Sequence, residues 1–97
     1  MPRQYFVYVL MNRWRTTSYI GVTSNLARRI TQHREKVVEG FTKRYHLTML
    51  VYYETFPTAY EAISREKQLK RWSREKKITL IHSTNPDLKD LSDDLAL

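Results

Sequence analysis

The segment from Tyr5 to Thr23 reads YFVYVLMNRWRTTSYIGVT, and the fold turns on how it is read. Tyr5 to Met11 is rich in aromatic and β-branched residues, the composition of a buried strand. Asn12 to Thr17 is polar and turn-forming, and Ser18 to Thr23 is a second short strand. The two strands make a hairpin with a long loop. At its tip Arg13, Trp14 and Arg15 form a basic-aromatic cluster, where Trp14 either stacks on a base or covers the edge of the core.

The hairpin runs directly into a basic helix. Thr23 or Ser24 is expected to cap it, with the helix spanning Asn25 to Glu39 and ending at Gly40. At 100° per residue Leu26, Ile30 and Val37 share a narrow stripe. His33 falls inside that stripe and Arg29 on its edge, one turn earlier. Arg28, Arg34 and Lys36 point elsewhere, as solvated charge. Phe41 to His46 is a basic linker with Lys43, Arg44 and Tyr45, and Leu47 to Glu54 reads as a third strand, stopped by Phe56-Pro57. Thr58-Ala59-Tyr60-Glu61 is a capping box. The helix it opens should run from Ala59 to Trp72 and bury Ala59, Ala62, Ile63 and Leu69, with Glu66 near the centre of that face. Ser73 caps a third helix, packed by Ile78 and Ile81, that runs to His82 before Asn85-Pro86.

The order strand, strand, helix, strand, helix, helix is too poor in strands for a doubly wound sheet. It fits an α+β fold with a small three-stranded antiparallel sheet flanked by helices. Residues 1–86 form one domain and residues 87–97 an acidic, leucine-bearing tail: a frayed helix, a disordered tail, or a flap over the basic surface.

The chain has 97 residues and 41% hydrophobic content, enough for a modest core. Cysteine is absent, which excludes a disulfide-linked partner and any Cys-based zinc site and suits a reducing cytoplasm. No leader and no long apolar run is visible, so a soluble, unprocessed protein is expected. The net charge is +7, unevenly spread: residues 83–97 carry −3, leaving +10 on residues 1–82. So basic a body attracts polyanions, nucleic acid first and anionic membrane second, because no strong apolar helix face accompanies the bases. The plainer reading is a soluble basic protein with no such partner.

Glu66 is the most informative single residue. A carboxylate on a core-facing position needs a partner, a proton or a metal. It is either half of an ion pair, with Lys70 or Arg29, or a single-carboxylate Mg²⁺ ligand, an ion that keeps most of its waters. Arg29 and His33 lie one helical turn apart; the first can clamp a phosphate and the second move a proton near neutral pH. Taken alone, His33 is more simply a core histidine. Tyr8 and Tyr19 are read first as amphipathic core tyrosines, because phenols with pKa values near ~10 are poor bases at pH 7. A neighbouring arginine or metal would change that. There is no glycine-rich phosphate loop, no HExxH, and no serine in a nucleophile-elbow setting.

Together these residues resemble the GIY-YIG nuclease superfamily, most of all its small stand-alone bacterial branch. Tyr19-Ile20-Gly21 matches the second name-giving triplet in full. Phe6-Val7-Tyr8 matches the first in its tyrosine, with Phe6 in the glycine position. Ser24 to His33 resembles the helix after the second triplet, and Ala62 to Lys70 the glutamate helix. Trp72 to Lys77 and Asn85-Pro86 resemble the end of the stand-alone branch. The likeness covers about residues 4–88. It implies hydrolysis of a DNA phosphodiester with one divalent ion, Mg²⁺ or Mn²⁺, held by Glu66. It implies that Tyr8 is the general base or orients the attacking water, and that Tyr19 supports the nucleophile or leaving group. Arg29 would stabilise the pentacovalent phosphate and His33 position phosphate or water. Tyr45 and Asn85 carry over more weakly, and Lys43, Arg28, Arg13, Trp14 and Arg15 are candidate substrate contacts. The expected substrate is single-stranded or branched DNA read with low sequence specificity, as in DNA repair or recombination. Trp14, Tyr52 and Tyr53 are suited to stacking on bases. The rivals are a non-catalytic nucleic-acid-binding module on the same fold and a protein-interaction domain that uses the tail.

Overall fold

The computed structural model describes residues 3–35 and 46–95. Three strands form one antiparallel sheet: β1 (Tyr5–Met11), β2 (Ser18–Thr23) and β3 (Met49–Phe56), in the order β2-β1-β3. Helix α1 (Leu26–Arg34) follows β2, and α2 (Ala59–Lys70) and α3 (Arg74–His82) follow β3. The α+β class and the β-β-α-β-α-α order are those expected from the sequence.

β1 is central, and both of its faces are covered. That is why it reads as a continuous apolar run and not as an alternating one. Val7, Val9 and Met11 join Ile20, Val51, Ala62, Leu69 and Ile81 in one core, under α2 and α3. Tyr8 and Leu10 join Leu26, Ile30, Leu47 and Leu50 in a second core, under α1. Alternation along one strand thus feeds two cores. The register with β2 sets Tyr8 opposite Gly21 and Leu10 opposite Tyr19.

β3 lies two residues later than the sequence suggests. Leu47 is fully buried but precedes the ladder, which begins at Met49 opposite Met11 and ends at Phe56 opposite Tyr5. Burial made Leu47 look like strand. A register break between Val9 and Leu10 leaves Val51 as the extra residue of a bulge.

The N-cap of α1 is Asn25 instead of Thr23 or Ser24. Its side-chain oxygen accepts from the Arg28 amide at 3.0 Å, while the Thr23 hydroxyl accepts from the Asn25 amide at 3.1 Å and sets the turn before it. Glu35 is the C-cap. The predicted continuation to Glu39, with Val37, Gly40, Lys43 and Tyr45, lies outside the described residues. Thr58 caps α2 and Ser73 caps α3, as predicted. α2 ends at Lys70, two residues short of Trp72, with Arg71 as its C-cap. It buries only Ala62 and Leu69; Ile63, expected inside, is 43% exposed. The helix meets the sheet along a narrow stripe, and Ile63 lies about 100° from Ala62 around the axis.

The acidic tail folds back onto the domain. A 3₁₀ turn (Leu91–Leu95) packs against β3 and α1, and Ser92 is fully buried. Asp90 accepts from Arg34 at 2.7 Å, from the Leu50 amide at 3.3 Å and from the Ser92 amide at 3.1 Å. Burial alone would raise the Asp90 pKa, but its bonds from Ser92 and the charge of Arg34 hold it below the ordinary carboxylate value. Arg34, expected to be free in solvent, is thus half of the tail's anchor. Asn85 is its hinge, since the buried amide donates to the Val51 and Lys89 carbonyls at 3.0 and 2.8 Å and accepts from the Lys89 amide at 3.0 Å.

Candidate active site

The site is built on the Tyr8–Gly21 pair. A Cβ at Gly21 would meet the Tyr8 hydroxyl oxygen at 2.4 Å and the carbon that carries it at 2.5 Å. The missing side chain of β2 is therefore the space in which the Tyr8 ring lies. Tyr8 is fully buried, and α1 closes over it.

Two α1 side chains converge on the phenol. The Arg29 Nε–H donates to Tyr8 Oη at 3.3 Å, and His33 Nε2 lies 3.2 Å from the same oxygen. The i, i+4 spacing makes this possible, because residues one turn apart overhang the same strand residue. The Tyr19 ring completes the group, 6.2 Å from Tyr8 and 5.8 Å from His33 between ring centres. Gln32, which sequence reasoning passed over, accepts from Arg29 Nη1 at 3.3 Å and fixes the guanidinium. Its signal was its place three residues after Arg29.

The electrostatics follow from burial and from Arg29. Burial pushes the Tyr8 phenol above its ordinary pKa of 10.0; the Arg29 hydrogen bond opposes the rise, and the charges of Tyr19 and Glu66 add to it. The same bond raises the Arg29 pKa. Burial, and after it the Arg29 charge, lowers the His33 pKa from 6.5 to about 4. At neutral pH the cluster is an uncharged phenol, an uncharged imidazole and one guanidinium. His33 Nδ1 is buried and has no hydrogen-bond partner among the described residues.

Glu66 projects from α2 between Ala62 and Leu69, with its side chain 20% exposed. α2 packs on β1 and β2, and the carboxylate is close enough for its charge to act on Tyr8. It pairs with Lys70 Nζ at 3.1 Å, one of the two ion pairs the sequence suggested. Among the described residues no group of three or more His, Cys, Asp or Glu comes together. A cation here would have one protein carboxylate and complete its shell with water, which suits Mg²⁺ or Mn²⁺ and not a closed structural site. A single half-buried carboxylate fits that requirement, with the Lys70 ammonium as the contact a metal would have to displace.

The other candidates divide. Arg28 joins Arg29, Thr23, Asn25 and Gln32 around an open polar cleft of about 300 Å³ at the start of α1. Arg13, Trp14 and Arg15 sit on the hairpin loop, beyond the far end of β1 from Phe6, and are not part of the cluster. Trp14 is 60% exposed, with the Arg13 guanidinium 4.9 Å from its ring centre. Buried Asn12 shapes that loop, its Oδ1 accepting from the Thr16 and Thr17 amides at 2.9 and 3.2 Å. Asn85 has its amide committed to the fold, as described above. Lys43 and Tyr45 lie outside the described residues. Tyr52 does not stack on anything in solvent: it is buried and donates to Glu54 at 2.5 Å, and burial, then Glu54, raises its pKa to about 12. Tyr53 is partly buried, edge-on to Phe6. An apolar hollow of about 240 Å³ between α3 and the sheet is lined by Val9, Met11 and Ile20, on the face opposite Tyr8, and holds none of the cluster.

A family model described as the GIY-YIG catalytic domain matches residues 4–79. The UPF0213 protein of Desulfotalea psychrophila is 37% identical over 81 residues, covering 82% of this chain and 73% of that one. The UPF0213 protein of Staphylococcus saprophyticus is 38% identical over 65% of this chain and 77% of that one. The solution NMR structure of the UPF0213 protein of Bacillus halodurans superimposes with a TM-score of 0.57 at 28% identity, covering 90% of this chain and 92% of that one.

Proposed function

The chain belongs to the GIY-YIG family, in its UPF0213 group, and from that premise we propose that it hydrolyses phosphodiester bonds of DNA, single-stranded or branched, with low sequence specificity. The observation that carries the reading is the convergence of Arg29 and His33 on the Tyr8 hydroxyl, with Tyr19 against both rings. In this reading Glu66 holds one Mg²⁺ or Mn²⁺. The ion, when bound, supplies positive charge to the scissile phosphate.

The chain's own residues do the rest. Water attacks phosphorus, the bond to the leaving oxygen breaks, one proton leaves the water and one reaches the leaving oxygen. Arg29, close to the polar cleft, stabilises the charge that develops on the phosphate. Tyr8 is held as a neutral, fully buried phenol in the free protein, so in this reading it orients the water by hydrogen bonding once substrate draws Arg29 away from its hydroxyl. With a cation held by Glu66, the Tyr8 pKa would fall and the phenol could serve as the base. His33, neutral at pH 7, keeps the phenol in place through Nε2. Tyr19 supports the nucleophile or leaving group by hydrogen bonding.

The test is incubation with labelled single-stranded, duplex and forked DNA in Mg²⁺, Mn²⁺ or EDTA. Cleavage that needs the metal and is lost in Glu66→Ala is expected. Metal-dependent cleavage that survives Glu66→Ala would remove Glu66 from the reaction. Salt-dependent binding with no cleavage in any metal would favour the alternative, a non-catalytic nucleic-acid-binding module on this fold.

A further inference from the structure

Helix α2 turns one face to the sheet and leaves another without a partner among the described residues. Tyr60, Ile63, Lys67 and Arg71 recur at steps of three and four residues and so form one stripe along the helix. Tyr60 is 80% exposed, and Lys67 and Arg71 are exposed as well. A large aromatic residue this far out on a well-capped helix contributes nothing to the core. Among the described residues neither Lys67 nor Arg71 forms an ion pair. The acids of α2 lie off the stripe: Glu61 is bonded to the Thr58 hydroxyl and half-buried Glu66 to Lys70. Beside the stripe, Lys67, Gln68 and Arg71 border an open hollow with the partly buried Trp72, whose ring has Lys76 Nζ 4.2 Å from its centre. Glu66 lies about 100° round the helix from Lys67, on the flank between the stripe and the sheet, and Lys70, on that same flank, touches its carboxylate at 3.1 Å.

We propose that the exposed stripe of α2 carries a stretch of the nucleic-acid substrate beside the scissile phosphate, with Lys67 and Arg71 on backbone phosphates and Tyr60 stacked on a base. This rests on the nuclease reading and adds to it the track along which the strand reaches Glu66. Charge decides the occupant: the stripe is cationic, its aromatic end offers a sequence-tolerant stacking surface, and a polyanion satisfies both. From Tyr60 to Arg71 the helix rises about 16 Å, the length of roughly five stacked nucleotides.

The test compares single-stranded DNA binding across a salt series, without metal, for wild type, Lys67→Gln/Arg71→Gln, Tyr60→Ala and a control of equal charge, Arg3→Gln/Lys89→Gln. The stripe pair should lower the slope of log K against log salt by about 1.4, two contacts at about 0.7 each for a single strand. Tyr60→Ala should weaken binding about tenfold without changing the slope. The control should change neither. If the control pair loses as much as the stripe pair, binding is diffuse and the track is wrong, while the nuclease reading stands. If wild type does not bind DNA at all, both fail together. A concentration-dependent dimer in sedimentation that Tyr60→Ala disperses would overturn the proposal in favour of a self-association face.

Discussion

A methyl group at position 21 would sit 2.4 Å from the Tyr8 hydroxyl oxygen. Gly21→Ala must therefore displace a fully buried ring or push β2 away from β1. It should lower stability by about 1–3 kcal/mol, as overpacking does, and remove most of the cleavage, measured by thermal unfolding and a cleavage time course. His33 makes a second prediction. Its folded pKa is about 4 against an ordinary 6.5, so the native state disfavours its charged form. That contribution is fully present above pH 6.5 and is lost as pH falls from 6.5 to 4, on the order of 3 kcal/mol in all. Urea midpoints taken across that window should fall in wild type and change much less in His33→Gln. Asp90, with its pKa held down by Ser92 and Arg34, loses its contribution only below its ordinary value of 3.8, so the two windows are separable.

The tail is an element of the fold, and its anchor is Asp90. Removing that carboxylate leaves the Leu50 and Ser92 amides without their acceptor as well as Arg34 without its partner. Asp90→Ala should cost about 1–2 kcal/mol, and Arg34→Ala less than about 1, because the Arg34 side chain is more than a third exposed and its charge stays partly solvated. Chemical denaturation distinguishes the two; equal losses would mean that only the ion pair matters. At this scale the sequence was legible where a local rule acts alone. β1, β2 and the N-caps at Thr58 and Ser73 lie where composition and cap chemistry put them. It was less legible where tertiary packing overrode the local rule. Leu47 is buried without being strand, and Ile63 is apolar without being buried. Arg34 gained a partner 56 residues away that no helical wheel contains.

At the scale of the whole molecule, the candidate site joins three parts of the chain: the hairpin, α1 and α2. Periodicity alone put Arg29 and His33 on the inward or edge side of α1 and Glu66 on the inward side of α2. The antiparallel register opposite Gly21, which no single segment encodes, brings the Tyr8 phenol under Arg29 and His33. The likeness to the GIY-YIG family implied the same residues by position. What neither route could supply was the state of the phenol, because its pKa depends on how deeply the finished fold buries it. On the proposed reading Tyr8 and Arg29 act as one unit on a phosphodiester. Single-turnover cleavage of a forked oligonucleotide in Mg²⁺ by wild type, Tyr8→Phe, Arg29→Ala and the double variant, each checked for native circular dichroism, tests it most directly. A loss of about 10²–10³-fold is expected in each single variant and little further loss in the double, as for groups that work together. Cleavage undiminished in Tyr8→Phe, or losses that simply multiply, would contradict it.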